Sequence, residues 1–257
     1  MKRWAAVAIL ALTACSDPTQ PAAVRKDAPP LDPVYFSVDA KTTAAIRGRV
    51  GFKGPRPRPQ ALRIDEDPAC VKLNRGRLLE ESVVVKGGLA NVFVYVKNGL
   101  EGKKFAPPPP EQVVAIDQKG CRFDPHVIGL RVGQTLRITN SDPVTHNIHP
   151  QPAMNREWNQ SQEPGAAPLE RKFVRPEIMM RVKCNVHSWM RAYVSALEHP
   201  YFAVTGADGS FEIAGLPPGD YVIEARHEKL GQRELAVALA PSETKPVEMV
   251  FTGATKQ

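Results

Sequence analysis

Beyond its N-terminal stretch the chain has no apolar run approaching about 18 residues, and it has no Cys-x-x-Cys-His, no basic cluster and only four cysteines. The first absence leaves nothing after residue 15 that is expected to span a bilayer as a helix. The second excludes covalent attachment of a c-type haem. Four cysteines in 257 residues cannot staple a fold together, so each needs its own explanation. The formal charge is +7, of which Lys2 and Arg3 supply two, leaving +5. The other Lys and Arg residues are scattered, with no interleaved aromatic ladder, so nucleic acid is not an expected partner. Such a basic surface suits an acidic protein or anionic lipid.

What the chain does contain is turn-forming residues: 25 prolines and 18 glycines, a composition against long central helices. The 42% hydrophobic content argues against wholesale disorder. Short runs of alternating apolar and polar residues, separated by Gly and Pro, predict an all-β fold. Strands are expected at 44–50, 82–85, 91–96, 113–117, 126–132, 135–140, 173–174, 178–183, 191–196, 209–213, 219–227 and 247–251. Pro107 to Pro110 should form a stiff connector. Residues 150–171 read as a loop with a short edge strand near 158–162, and short helices are expected only around 61–63 and 70–79. The expected division is a signal over 1–15, a tether over 16–39, β segments over 40–110, a central β domain over 111–198 and a last β segment over 199–257.

Residues 1–15 run from a cationic head through an apolar stretch to Leu12-Thr13-Ala14-Cys15, a secretory pattern too short to span a bilayer with margin. The last four residues resemble a bacterial lipobox, which implies that Cys15 is lipidated and becomes the first mature residue. The protein would then be anchored to a membrane surface without crossing it. Ser16 stands where an aspartate would suggest inner-membrane retention, so a periplasmic location on the outer membrane is favoured. Export also implies an oxidising compartment, which suits a Cys70–Cys121 disulfide. The alternative is that Cys70, Cys121 or His126 contributes to a second metal site. A free Cys184 in that compartment needs a reason, and metal ligation is one.

Two segments carry the chemistry. Asn140-Ser-Asp-Pro-Val-Thr-His146-Asn147-Ile148-His149 follows a strong strand, and Cys184-Asn-Val-His187-Ser-Trp189-Met190 comes about forty residues later. One thiolate, two imidazoles and one thioether form a soft, mixed donor set suited to both copper oxidation states. Cys184, His187 and Met190 can leave one tight loop, with His146 closing a trigonal plane and Met190 as the weak axial ligand. Zinc is the minor alternative occupant. His149, three residues past His146, would face away on a continuing strand and is expected beside the site or at the surface.

These segments resemble the cupredoxins, the blue-copper family, and within it the amicyanin-like branch with its Cys-x-x-His-x-x-Met loop. Phe123-Asp-Pro125, then Ile128, Val132, Gly133, Leu136, Ile138 and Asn140, resemble the opening strands of that family. The resemblance implies a Greek-key β-sandwich with one type 1 copper held by His146, Cys184, His187 and Met190. Asn147 would pin the two ligand segments together and touch the sulfur. His187 would be the edge-exposed ligand through which electrons pass, and Trp189 would shield the copper or belong to a docking surface. A dinuclear centre would need a second cysteine in the loop.

Residues 201–227 carry Asp208-Gly209-Ser-Phe211-Glu-Ile213 and Leu216-Pro-Pro-Gly219-Asp-Tyr221, with two tight-turn signals. They resemble the carboxypeptidase regulatory-like, or transthyretin-like, β-sandwich, a module without peptidase chemistry. Ile46-Arg-Gly-Arg-Val50 and Ala90-Asn-Val-Phe-Val-Tyr-Val96 resemble its opening strands. The cupredoxin would then be inserted between two halves of this sandwich; a serial arrangement is the simpler alternative. His199, His227 and Glu228 are expected at a hinge or in an interdomain hydrogen bond, with metal binding as the alternative. Residues 52–88 match no pattern.

The expected function is that of a lipid-anchored, non-enzymatic carrier of single electrons for a redox partner protein or membrane complex. One alternative is copper storage, delivery or sensing without electron transfer. The other is a structural or interaction subunit of a membrane-associated complex.

Overall fold

The computed structural model describes residues 33–253. Cys15, the signal-like run and most of the tether lie outside the described residues. No helix among those described is long and apolar enough to cross a membrane.

The chain opens with β1 (Ala44–Lys53), then the six-residue α1 (Pro68–Leu73) and β2 (Phe93–Asn98). It continues through β3 (Val113–Gln118), β4 (Phe123–Asp124), β5 (Val127–Arg131), β6 (Thr135–Asn140) and β7 (His146–Gln151). Next come β8 (Gln160–Gln162), β9 (Leu169–Arg171), β10 (Glu177–Lys183) and β11 (Arg191–Leu197). The last five are β12 (Phe202–Val204), β13 (Ser210–Leu216), β14 (Gly219–His227), β15 (Gly231–Leu239) and β16 (Thr244–Thr252).

Four sheets make two sandwiches. In the first, a sheet in the order β13-β1-β16 faces one in the order β12-β2-β14-β15. Alternation does the building: Phe211, Ile213 and Leu216 on β13, Tyr221, Ile223 and Ala225 on β14, and Met249 and Phe251 on β16 all point into one core with Ile46 and Val50. In the second, β5-β11-β10-β7-β8 faces β4-β3-β6-β9 around Ile116, Phe123, Leu136, Ile138, Ile148, Val182 and Val194. β1 pairs antiparallel with β13 and parallel with β16, while β2 pairs with β12 and β14. The chain therefore leaves the first sandwich after β2 and re-enters it at β12, with all nine strands of the second lying between.

The two sandwiches meet over an apolar joint formed by Phe93 and Tyr95 of β2, Val127 of β5 and Leu197 of β11, with Phe202 packed alongside. Phe93 stacks on Tyr95 and packs tilted against Phe202, each at 5.6 Å. Gly129 makes this approach possible, since a Cβ there would lie 2.5–2.7 Å from the Phe202 and Phe93 rings. A largely enclosed hydrogen bond crosses the same boundary: His126 Nε2 lies 2.5 Å from Glu228 Oε1. His227 stays within its local turn, whereas His199, between β11 and β12, also bonds the backbone of Val96 in β2. The Nδ1 of His227 accepts the N–H groups of Lys229 and Leu230, and that of His199 accepts the N–H of Tyr201. Burial drives both imidazoles down to about 4, so they stay neutral.

Several local expectations change. Residues 82–85 and 173–174 are not strands. Phe173 is instead buried in the core of the second sandwich, and the strand beside β6 is Leu169–Arg171. Residues 61–63 form no helix; Ala61 makes an isolated bridge to Leu79. The helix expected at 70–79 begins earlier and is shorter, because Asp67 caps it, Pro68 starts it, and Arg75 and Gly76 with positive φ end it. Residues 61–79 form a cap on the second sandwich, its Ile64, Cys70 and Leu78 joining that core.

Replacing Phe93 by Ala should remove the centre of the joint and cost about 3–5 kcal/mol, read as a lowered urea midpoint. A loss below about 1 kcal/mol would mean that the joint contributes little to stability.

Candidate metal centre

The site forms where β6 gives way to β7 and where β10 turns into β11. Asn140, at the end of β6, shapes the first turn: its Nδ2 donates to the carbonyls of Val144 and Gln162, and its Oδ1 accepts the N–H of Asp142. This turn delivers His146 at the first position of β7, fully buried. The second turn closes on itself. Cys184 N–H donates to Met190 O at 3.2 Å and Met190 N–H to His187 O at 2.9 Å. Cys184, His187 and Met190 are all buried as a result.

One ligand atom each from His146, Cys184 and His187 falls within a 4.8 Å cluster. The two Nδ1 atoms lie 2.9 Å apart, and Cys184 Sγ is 3.9 Å from that of His187. The sulfur accepts the backbone N–H groups of Asn147 and His187, both at 3.3 Å. Asn147 joins the two segments, since its Oδ1 accepts the N–H of Asn185 at 3.1 Å while its Nδ2 donates to Asn159. Met190 lies in the same buried core. His149 is not among the clustered donors; it bridges Asn185 Oδ1 at 3.1 Å and Glu157 Oε1 at 2.5 Å.

Both outer imidazole nitrogens are tied to carboxylates. His146 Nε2–H donates to Asp142 Oδ2 at 2.8 Å, and His187 Nε2–H donates to Asp67 Oδ2 at 3.0 Å. A carboxylate accepts only from a protonated nitrogen, so each ring presents its Nδ1 inward, where a metal would be bound. Two imidazole nitrogens and a thiolate, with the Met190 thioether buried in the same core, fit a soft or borderline metal ion. The carboxylates are themselves anchored. Asp142 accepts the N–H groups of Gly120 and Cys121 at 2.7 Å, and Asp67 accepts those of Ala69 and Cys70. Cys70 and Cys121 are bonded to each other, so one disulfide carries both carboxylate anchors. Cys184 is the free cysteine among the described residues.

One expectation from the family resemblance is overturned. His187 is not an exposed edge ligand; it is 2% exposed. The cap brings Asp67 against its Nε2, places Cys70 Sγ 3.8 Å away and covers the position where the ring would meet solvent. Trp189 is 7% exposed, so it shields the site and forms no docking surface. Its ring packs 5.0 Å from that of His187, and its Nε1–H donates to Cys121 O. The residues that the sequence pattern did not single out are Asp67 and Asp142. Asp142 sits four residues before His146, and Asp67-Pro68 is a helix-start signal three residues before Cys70. Each offered a local cue, but neither showed that the carboxylate would reach a histidine.

Burial pushes the Cys184 thiol up, but hydrogen bonds from His146, His187 and the backbone outweigh it and bring the value down to about 6. Burial opposes charge on His146, yet Asp142 and Cys184 lift it to about 9. Burial likewise opposes charge on His187, and Cys184 with Asp67 raises it.

No protein-family model and no curated protein matches the chain. Its neighbours among solved structures are cupredoxins and a copper-containing enzyme. A copper-containing nitrite reductase from Thermus scotoductus SA-01 is 18% identical over 40% of this chain, which spans a quarter (25%) of that protein, with a TM-score of 0.31. A purple cupredoxin from Nitrosopumilus maritimus is 20% identical over 32% of this chain and 98% of its own, at 0.28. Amicyanin from Paracoccus versutus is 15% identical over 40% of this chain and 96% of its own, at 0.30.

In the metal-free protein, Cys184 and His146 should form a thiolate–imidazolium pair between about pH 6 and 9. The depressed thiol contributes stability that is complete above its unfolded value and lost as pH falls through about 6. The raised imidazole contributes stability that is complete below its unfolded value and lost as pH rises through about 9. Between these limits the two contributions change with pH in opposite directions, so Tm should stay nearly flat there, and Cys184→Ser, which removes the rising one, should change that slope. Superimposable profiles for the two proteins would contradict the pair.

Proposed function

We propose that the second sandwich is a cupredoxin domain holding one type 1 copper through Cys184 Sγ and the Nδ1 atoms of His146 and His187. Met190 would supply the fourth and weaker donor, and the protein carries single electrons without catalysing a reaction of its own. The observation that supports this best is the pair of pinned imidazoles, both turning Nδ1 toward one free, buried thiol. Bound copper would supply a reversible one-electron couple. The chain's own residues supply the rest. Asn147 and His187 donate N–H groups to the Cys184 sulfur and spread its negative charge. The two-sheet scaffold and the closed 184–190 turn hold the donors in place, so little has to move when the charge changes. Trp189 and the cap keep water out.

The burial of His187 favours permanent retention of the metal over delivery to another protein. Asp67 then stands between His187 and solvent, its side chain 23% exposed, and provides the short route outward. The partner in this reading is a redox protein or membrane complex. The first sandwich, with its regulatory-like pattern, acts as a non-catalytic platform. Lipid on Cys15 would hold the whole on the periplasmic face of a membrane, with the outer membrane favoured.

Copper-loaded protein lacking residues 1–15 should show an intense thiolate-to-copper band near about 600 nm and narrow EPR hyperfine lines. Both should vanish in Cys184→Ser. Full loading with a reduced thiol and no such band would refute the type 1 assignment. In cells making the full chain, Cys15→Ser should stop incorporation of labelled fatty acid and release the protein from membranes. Unchanged membrane retention without label would exclude the lipid anchor.

A further inference from the structure

The cap places a second acid at the metal centre that the ligand pattern does not call for. Asp67 is the N-cap of α1, and its two oxygens have separate tasks. Oδ1 accepts the N–H groups of Ala69 and Cys70 at 2.8 and 3.1 Å, while Oδ2 takes the Nε2–H of His187 at 3.0 Å. The carboxylate cannot drift away, because Cys70 is bonded to Cys121 and Asn74 Nδ2 donates to Gly120 O at 3.1 Å. Arg122 adds a contact to Leu79 O. The cap is thus fixed to the β3–β4 turn, whose Gly120 and Cys121 N–H groups also hold Asp142.

We propose that Asp67 is a positioning residue that sets the reduction potential of the centre: its carboxylate fixes the tautomer of His187 and favours the oxidised metal. The inference rests on the copper reading above. A carboxylate accepting the outer N–H of a ligating imidazole increases the electron density at the inner nitrogen and strengthens it as a donor. The same negative charge, one imidazole ring away, interacts with one more positive charge in the oxidised state than in the reduced state. Both effects lower the potential. Loss of such an outer partner typically costs about 10–100-fold in metal affinity. Where that loss falls on Cu(II) and not on Cu(I), each tenfold corresponds to about 59 mV for a one-electron couple.

The test variant is Asp67→Asn, because asparagine is as good an N-cap as aspartate and α1 should persist. It removes the charge and leaves a single side-chain oxygen for both α1 and His187. Asp65→Asn, two residues away on the exposed surface, controls for the loss of a nearby charge. Copper-loaded protein should show a potential at least about 59 mV higher in Asp67→Asn than in Asp65→Asn, with altered EPR hyperfine splitting. In copper-free protein at a pH high enough for His187 to be neutral, nitrogen NMR should show its single proton on Nε2 in wild type and in Asp65→Asn, and a mixed tautomer in Asp67→Asn. Potentials that shift equally in the two variants, or an unchanged His187 tautomer, would overturn the proposal. If wild type forms no thiolate–copper band, the copper reading fails, and the tautomer measurement still decides the role of Asp67.

Discussion

A metal-ready arrangement of two histidines and a cysteine depends on the outer nitrogens of both imidazoles being held. If either Nε2 were free, its ring could turn or exchange tautomers, and a proton would compete for the inner position. Asp142 and Asp67 remove that freedom, and both are fastened to backbone N–H groups at the two ends of one disulfide. The covalent bond thus sets the spacing of the carboxylates, and the carboxylates set the rings. The cap has few apolar anchors of its own, Ile64 and Leu78 among them, so the cross-link restricts it where packing alone offers little.

The rest of the molecule supplies rigidity to that arrangement. The second sandwich is joined to the first at both of its ends, through β2 on entry and β12 on exit. Phe93, packed between Tyr95 and Phe202, and the largely enclosed His126–Glu228 hydrogen bond hold the two together. Gly129 is the geometric requirement for this contact, because any side chain there would meet two aromatic rings. The 61–79 cap covers His187 and sets the Asp67 carboxylate, in place of water, against its Nε2.

Much of the β framework is legible locally. Thr135–Asn140 and Gly219–His227 match their alternation because each has one face in a core and turn residues at its ends. β15 was not readable: its first half, Gln232, Arg233 and Glu234, is polar on both faces at an edge, and its core contacts, Leu235, Val237 and Leu239, fall in the second half. The pattern at 173–174 misled because Phe173 is buried from an irregular segment beside Val174, which is exposed. Residues 61–79 were legible only in part: the short helix expected at 70–79 forms at Pro68–Leu73, while none forms at 61–63 and the scattered Ile64 and Leu78 are satisfied by the second sandwich.

The donor residues and the all-β class were determined by the sequence, since thiolate, imidazole and thioether chemistry belongs to residue types and spacing, and strand alternation is a local property. Which carboxylates reach the imidazoles, and whether His187 meets water, were decided only by the tertiary structure. Asp67 lies 120 positions from His187 along the chain. Nothing short-range relates them; they meet because the 70–121 disulfide and the apolar side of the cap bring one loop down onto another.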